Sequence, residues 1–299
     1  MTPDTRAAPS ALGDDGEWTR SITMEKWGQF ADIVKLVDSS VEKMKATRSN
    51  YVPAPLWRGQ SNAAWALQTT LERFNPSIKS FADYYRAAYA SRPQIEAFTG
   101  REWKLDTPDV YAKWSGDYDS MRGDLPAYEY FAYLRHYGFP SPLLDWSRSP
   151  YVAAWFALSE AGDHDAAVYV YFESAGIKTG SSNASQIHVR GPYVSTDKRH
   201  FLQQCQYTLC ARFVEAYKGV FRWHYADHHE VFDRKEKDQD VLLKVTLKSG
   251  MKDEALRELD RYNLNAYSLF GSQEALMRTM ARRELHKQLT HPQQHKRAK

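Results

Sequence analysis

Apolar residues recur at spacings of three and four over Trp27, Phe30, Ile33, Val34, Val37 and Val41. That period predicts one face of an amphipathic helix. Phe81, Tyr84, Tyr85, Ala88 and Tyr89 repeat the pattern and predict a helix within Ile78–Phe98. The run Tyr128 to Leu134 is aromatic and helix-compatible, and Tyr151 to Leu158 is apolar nearly all round, as in a buried helix. Between these two runs lies a short polar turn that carries His136, Asp145, Trp146, Ser147 and Ser149. A polar turn pinned at both ends by core helices is a rigid platform, and such platforms hold binding and catalytic groups.

The strands read less evenly. After a breaker at Asn50–Pro55, Leu56–Gly59 predicts a short strand ending in a turn. Ala166–Phe172 and Val241–Leu247 read as strands, the first of them buried. Arg199–Phe213 fits a strand or a helix. Lys218–Asp233 predicts a hairpin or insertion in which Val220–Tyr225 and His229–Phe232 are short strands. Met251–Tyr262 predicts an amphipathic helix, Ala266–Phe270 a last strand and Gln273–Leu289 a closing helix. Arg101–Pro126 gives no clear element, and Lys178–Asn183 reads as a Gly/Ser loop. Internal repeats and a regular βαβ spacing are both missing, so the expectation is α+β: a single domain with a small twisted mixed sheet flanked by helices. Its expected span is residues 21–289, between a flexible leader (1–20) and a basic tail (290–299).

Composition narrows the classes. At 299 residues the chain is long enough for a real core, and 14% aromatic content favours a packed, pocketed globule. A net charge of +3 gives no general case for a nucleic-acid or membrane partner. The N-terminal stretch lacks an apolar signal core, and no run reaches transmembrane length, so no membrane association is expected. Cys205 and Cys210 are too few for a secreted disulfide framework or a zinc site, which points to a reducing cytoplasm and to no metal.

Several residues have two readings each. Arg58, between Trp57 and Gly59, suits a bidentate clamp on phosphate or carboxylate, and Gly59 lets a ligand approach the backbone. Equally, Arg58 suits a structural pair with a buried acid such as Asp145. His136 precedes a C-capping Gly138 and reads as a helix-end histidine or as a catalytic group. Asp145 can orient His136, pair with Arg58 or cap the next helix. Ser147 and Ser149 precede Pro150, so capping is the plain reading for them. No G-x-S-x-G elbow occurs, which argues against a serine hydrolase. His224, His228 and His229 with Asp227 and Glu230 suggest a metal, but without an H-E-x-x-H pattern a solvated loop is favoured. Gln203, Gln204 and Gln206 sit in apolar surroundings where amides bond backbone or ligand. The tail from His291 is a solvated end or a weak nucleic-acid contact.

Four motifs in order resemble the FRG domain family. They are Trp57–Gln60 (WRGQ) followed by Trp65, Leu67 and Arg73; Arg135–Ala157 with its His-Tyr-Gly and Leu-Leu-Asp-Trp; Phe201–Thr208 (FLQQCQYT); and the closing segment from Leu242 to Phe270. The likeness runs from about Trp27 to Leu276. The chain departs from the family pattern at Trp57, where Phe is usual, at Cys205, where Gly follows the paired Gln, and at Gly271–Glu274, which replaces Pro-Asp-Leu.

A second likeness is to ADP-ribosyltransferases of the Arg-Ser-Glu type. Arg58–Gly59, then Ser147-Arg148-Ser149, then Val152–Ala157 follow their order. This implies an ADP-ribosyltransferase-like fold with NAD as substrate. Arg58 would hold the phosphates, with Gly59, Gln60, Asp145, Trp146, Ser149 and Gln204 completing the binding site. His136 and Ser147 would position ribose and nicotinamide. A glutamate would stabilise the sugar cation, since breaking the nicotinamide–ribose bond builds positive charge there. Glu215, Glu230 and Glu274 are the candidates, with Glu274 ranked first. The implied activity is ADP-ribosyl transfer to a macromolecule, protein or nucleic acid, by a bacterial toxin or phage-defence effector with an antitoxin or regulatory protein. The rival class is a non-catalytic nucleotide- or protein-recognition module. An enzyme requires three or more of Arg58, His136, Asp145, Ser147 and Gln204 to line one ligand-sized cleft.

Overall fold

The computed structural model describes residues 19–47, 51–174, 183–233 and 239–290. The expected leader up to residue 18, most of the loop Lys178–Asn183 and the tail His291–Lys299 lie outside them. Among the described residues eight strands form one mixed sheet. They are β1 (Thr19–Met24), β2 (Leu56–Gln60), β3 (Leu144–Ser147), β4 (Ala166–Phe172), β5 (Gln186–Arg190), β6 (Cys205–Tyr217), β7 (Val220–Tyr225) and β8 (Val241–Leu247). The order is β1-β8-β4-β2-β3-β6-β5, with β7 paired to β6. The β1–β8 pair is parallel and the others are antiparallel. The expected small sheet is therefore larger than the sequence suggested. Residues 19 and 20, expected in the leader, begin β1.

Helices cover the sheet on both faces. In chain order they are α1 (Phe30–Thr47), α2 (Thr70–Phe74), α3 (Phe81–Thr99), α4 (Pro108–Trp114), α5 (Tyr128–His136), α6 (Pro150–Ser159), α7 (Lys198–Leu202), α8 (His229–Asp233), α9 (Lys252–Arg261), α10 (Ala266–Phe270) and α11 (Gln273–Thr290). Among the described residues no helix is long and apolar enough to cross a membrane.

Local chemistry explains the elements near the site. Ser149 accepts a hydrogen bond from the Val152 N–H and Pro150 occupies the first turn, so α6 starts abruptly after β3. Val152, Ala153, Ala154, Trp155, Ala157 and Leu158 are all buried, so α6 is enclosed by β2 on one side and by α1 and α9 on others. Gly59 faces it. A Cβ there would lie 2.0 Å from the Ala153 carbonyl oxygen and 2.5 Å from the Ala157 nitrogen. Only glycine lets the helix lie this close to the strand.

Three expectations need correction. The polar platform contains strand β3, because Leu144–Ser147 pairs with β6 from Leu144↔Thr208 to Ser147↔Cys205. His229–Phe232 is helical, not a strand: the Asp227 carboxylate accepts from the His229 N–H and starts α8. Ala266–Phe270 is helix α10, not a strand. Asn265 and Ser268 form a capping box, and Gly271 at φ 60° ends the turn.

Candidate functional site in the gap between two strands

Strand β2 is paired unequally. Against β4 it runs from Leu56↔Tyr171 to Gln60↔Ala167, yet against β3 only Trp57 is paired, to Ser147. Beyond that pair β2 and β3 part. The opening between them is a cleft of about 180 Å³ that includes Arg58, Gly59, Gln60, Arg73, Asp145, Ser147, Phe156, Glu160 and Cys205 in its lining.

The Arg58 guanidinium bridges the opening. Its Nη1 donates to the Asp145 carbonyl oxygen at 2.7 Å and to the Asp145 carboxylate. The backbone oxygen that a continued ladder would have paired is thus satisfied by a side chain. Arg135, from the last turn of α5, donates from Nη2 to the same Asp145 oxygen at 2.8 Å. The side chains of Arg58 and Arg135 are 10% and 19% exposed, against 41% for Asp145. Burial alone would raise the Asp145 pKa, but the charges of Arg135 and Arg58 outweigh it and hold the carboxyl well below the usual range.

The cleft has a surplus of positive charge. Arg73 also lines it, with its pKa lowered by burial and then by the charges of Arg58 and Arg135. One carboxylate, Asp145, faces these three guanidiniums. Glu72 is engaged by the Thr69 N–H at 2.7 Å in the cap of α2, and Glu160 is paired with Arg278. The Nε–H groups of Arg58 and Arg135 are buried without a partner. An anion entering the cleft would meet the positive field of these guanidiniums.

The other expected site residues are placed as follows. Gln60 borders the cleft, with its amide nitrogen donating to the Trp65 carbonyl at 2.8 Å. Trp146 borders it too, but its indole N–H donates to Thr208 Oγ1 at 2.8 Å inside the core. The Ser147 hydroxyl donates to the Gln203 carbonyl at 2.8 Å and accepts from the Ser149 N–H at 3.0 Å. It ties the turn between α7 and β6 to the start of α6 and is not a free nucleophile. Asp145 caps no helix; Ser149 does. His136, Ser149, Gln204 and Glu274 are not among the residues that line the cleft. Gln204 is exposed, at φ 50°, in the turn before β6. Glu274 lies in the exposed first turn of α11, because α10 and the Gly271 turn replace the expected strand.

His136 points to a different cluster. Its Nε2 lies 2.7 Å from the Tyr207 hydroxyl, which is 3.4 Å from His200 Nδ1. Burial lowers the His136 pKa to about 4 and lowers that of His200. The ligand atoms of His136, His200 and Cys205 lie within 4.8 Å of one another. No comparable group is formed by His224, His228 and His229 among the described residues. His228 instead meets Thr208 Oγ1 at 2.9 Å in the core, and the Glu230 carboxylate contacts Ser185 and Arg212. The expectation of a solvated histidine loop therefore fails at His228, which is buried.

Residues 54–166 match the family model of the FRG domain. The chain carries an FRG domain. The match begins just before β2 and ends at the first residue of β4, so the matched segment supplies Arg58, Arg73, Asp145, Ser147 and Glu160 to the cleft, and Arg135, which holds Asp145 from behind it. No curated protein and no solved structure matches the chain.

Sequence reasoning had missed Arg135 and Glu160 as site residues and had left Arg73 as a motif position. Arg135 had a signal, since it directly precedes His136 in the central motif. Glu160 had none, because its position depends on the length of α6.

Proposed function

We propose that the FRG domain binds NAD in the β2–β3 cleft and transfers ADP-ribose to a macromolecular acceptor. The observation that carries this reading is Arg58, held by Asp145 at the parting of two strands, with Arg135 sharing that one carboxylate and Arg73 lining the same cleft. Arg58 and Arg73 suit the pyrophosphate. Trp65, 55% exposed at the rim, offers a face for a base. The cleft is smaller than the roughly 300–1,000 Å³ of common ligand sites. It suits the nicotinamide–ribose end, with the rest of NAD lying along the rim.

The acid missing from the sequence comparison has a candidate in Glu160 rather than Glu274. In the reaction the bond from ribose C1′ to the nicotinamide nitrogen breaks and its electron pair leaves with nicotinamide. The acceptor nucleophile bonds to C1′ and loses its proton. A carboxylate at Glu160 would stabilise the cationic sugar between those events.

Incubation with NAD labelled in the nicotinamide ring tests the reading. Wild type should release nicotinamide, and Glu160→Gln should bind NAD while releasing at least about tenfold less. Absence of both NAD binding and nicotinamide release in wild type would overturn it. The second reading, a nucleotide-recognition module without catalysis, is favoured by the pairing of Glu160 with Arg278. It predicts NAD binding with no release, even after Arg278→Ala frees the carboxylate.

A further inference from the structure

Behind the cleft wall, three elements bring nitrogen and sulfur ligands to one point. His136 ends α5, His200 lies in α7, and Cys205 opens β6. Their ligand atoms are mutually within 4.8 Å. His200 and Cys205 are almost wholly buried.

The hydrogen bonds fix which lone pairs point inward. His200 Nε2 lies 2.9 Å from the Pro192 carbonyl oxygen. A carbonyl only accepts, so Nε2 carries the proton and Nδ1 offers its lone pair to the cluster. Metal-bound histidines are oriented in this way, with the far ring N–H given to a carbonyl. Around that lone pair stand His136 Nε2, the Tyr207 hydroxyl and the Cys205 thiol. The thiol has a weak contact of 3.6 Å to Gln203 Oε1 and lies beside the Tyr207 hydroxyl.

We propose that His136 Nε2, His200 Nδ1 and Cys205 Sγ bind a d-block divalent cation of the zinc class, with the Tyr207 hydroxyl beside the fourth position. Two imidazoles and one thiolate are a borderline-soft donor set that suits zinc and disfavours magnesium or calcium. Binding displaces one proton, from the Cys205 thiol to solvent, and leaves the metal without redox change. The bound ion ties α5 and α7 to β6, directly behind the cleft residue Cys205. The inference stands independently of what the cleft binds. The sequence hid the site because His136 is remote from His200 and Cys205 along the chain and only one ligand is a cysteine. That cysteine stands where the FRG pattern has glycine.

Cobalt titration of the metal-free, reduced full-length chain provides the test. One equivalent of Co²⁺ should give a sulfur-to-cobalt charge-transfer band in the near ultraviolet and tetrahedral d–d bands, and Zn²⁺ should bleach both. Cys205→Ser should abolish the charge-transfer band, and Cys210→Ser should leave it intact. His200→Gln should weaken binding by at least about tenfold. X-ray absorption of the zinc-loaded wild type, which needs no variant to fold, should show one sulfur and two imidazoles in the first shell. No cobalt band at excess Co²⁺, a band that survives Cys205→Ser, or a sulfur-free zinc shell would each overturn the proposal.

Discussion

The two sides of β2 differ in what completes them. On the β4 side the ladder runs the whole strand, from Leu56↔Tyr171 to Gln60↔Ala167, and β4 is buried along its full length. On the β3 side the ladder stops after Trp57↔Ser147, and a charged side chain does the work of the missing backbone bonds. A closed ladder between buried strands satisfies itself and leaves nothing to bind. The open side is held by Arg58, Asp145 and Arg135, and it retains donors and volume for an outside group. This site arises where sheet pairing is interrupted, and the interruption is held together by the Asp145 contacts of Arg58 and Arg135.

The largest effect is expected from a change that forces α6 away from β2. Gly59→Ala places a Cβ against the Ala153 carbonyl and Ala157 nitrogen, both backbone atoms that cannot swing aside. We expect a loss of about 3 kcal/mol or more in urea unfolding. Gly162→Ala, with nothing within 4 Å, should change stability little.

Next in size is Asp145→Ala, which leaves two mostly buried guanidiniums facing each other. A fully buried pair costs about 3–5 kcal/mol to break, and the partial exposure of Asp145 reduces this to about 2–3 kcal/mol. Val168→Ala, on the closed side, should cost about 2 kcal/mol through a cavity. Inorganic phosphate separates the two: it should raise the melting temperature of Asp145→Ala by supplying counter-charge, and leave that of Val168→Ala unmoved. Equal responses would contradict the distinction between the two sides.

A smaller effect is expected at Ser147, whose hydroxyl joins the α7–β6 turn to the start of α6. Ser147→Ala removes a bond to the Gln203 carbonyl and one from the Ser149 N–H, for about 1–2 kcal/mol in denaturant unfolding. NAD binding should persist, because the hydroxyl is spent on the fold.

Acid unfolding isolates the open side from the closed one. The folded Asp145 carboxyl titrates below its ordinary value of 3.8, despite burial, because Arg135 and Arg58 favour its charge. Below that ordinary value the unfolded chain takes up the proton first, so stability present above it is lost as pH falls further. Melting curves of Asp145→Asn should be flatter than wild type in this range. Identical slopes would assign the acid sensitivity elsewhere.

Much of this division was legible in the sequence. The Ala166–Phe172 run announced the closed side, since a continuous apolar, β-branched and aromatic stretch has one good use. Period-3.6 faces found α1, α3 and α9. Arg58, Asp145 and Ser147 stood out by residue type and spacing. The open side was harder. Leu144–Ser147 is four residues with no alternation long enough to read, and it is a strand only because β2 and β6 flank it. Ala266–Phe270 shows the reverse error: a short apolar run is ambiguous, and the Asn265 cap decides it. Glu160 and His200 carried no local mark, since their roles come from contacts between distant segments. Chain order points to Gln203, Gln204 and Gln206, where no acid stands, so sequence alone left Glu274 as a substitute, and it does not line the cleft.

The most direct measurement of the central claim is a two-dimensional amide NMR titration of the wild-type chain with NAD. Saturable shifts at Gly59, Trp65, Ser147 and Glu160 are predicted, with Val168 and Val170 on the closed side nearly still. No shifts, or shifts gathered instead around the groove of Trp103, Tyr128 and Tyr193, would contradict it.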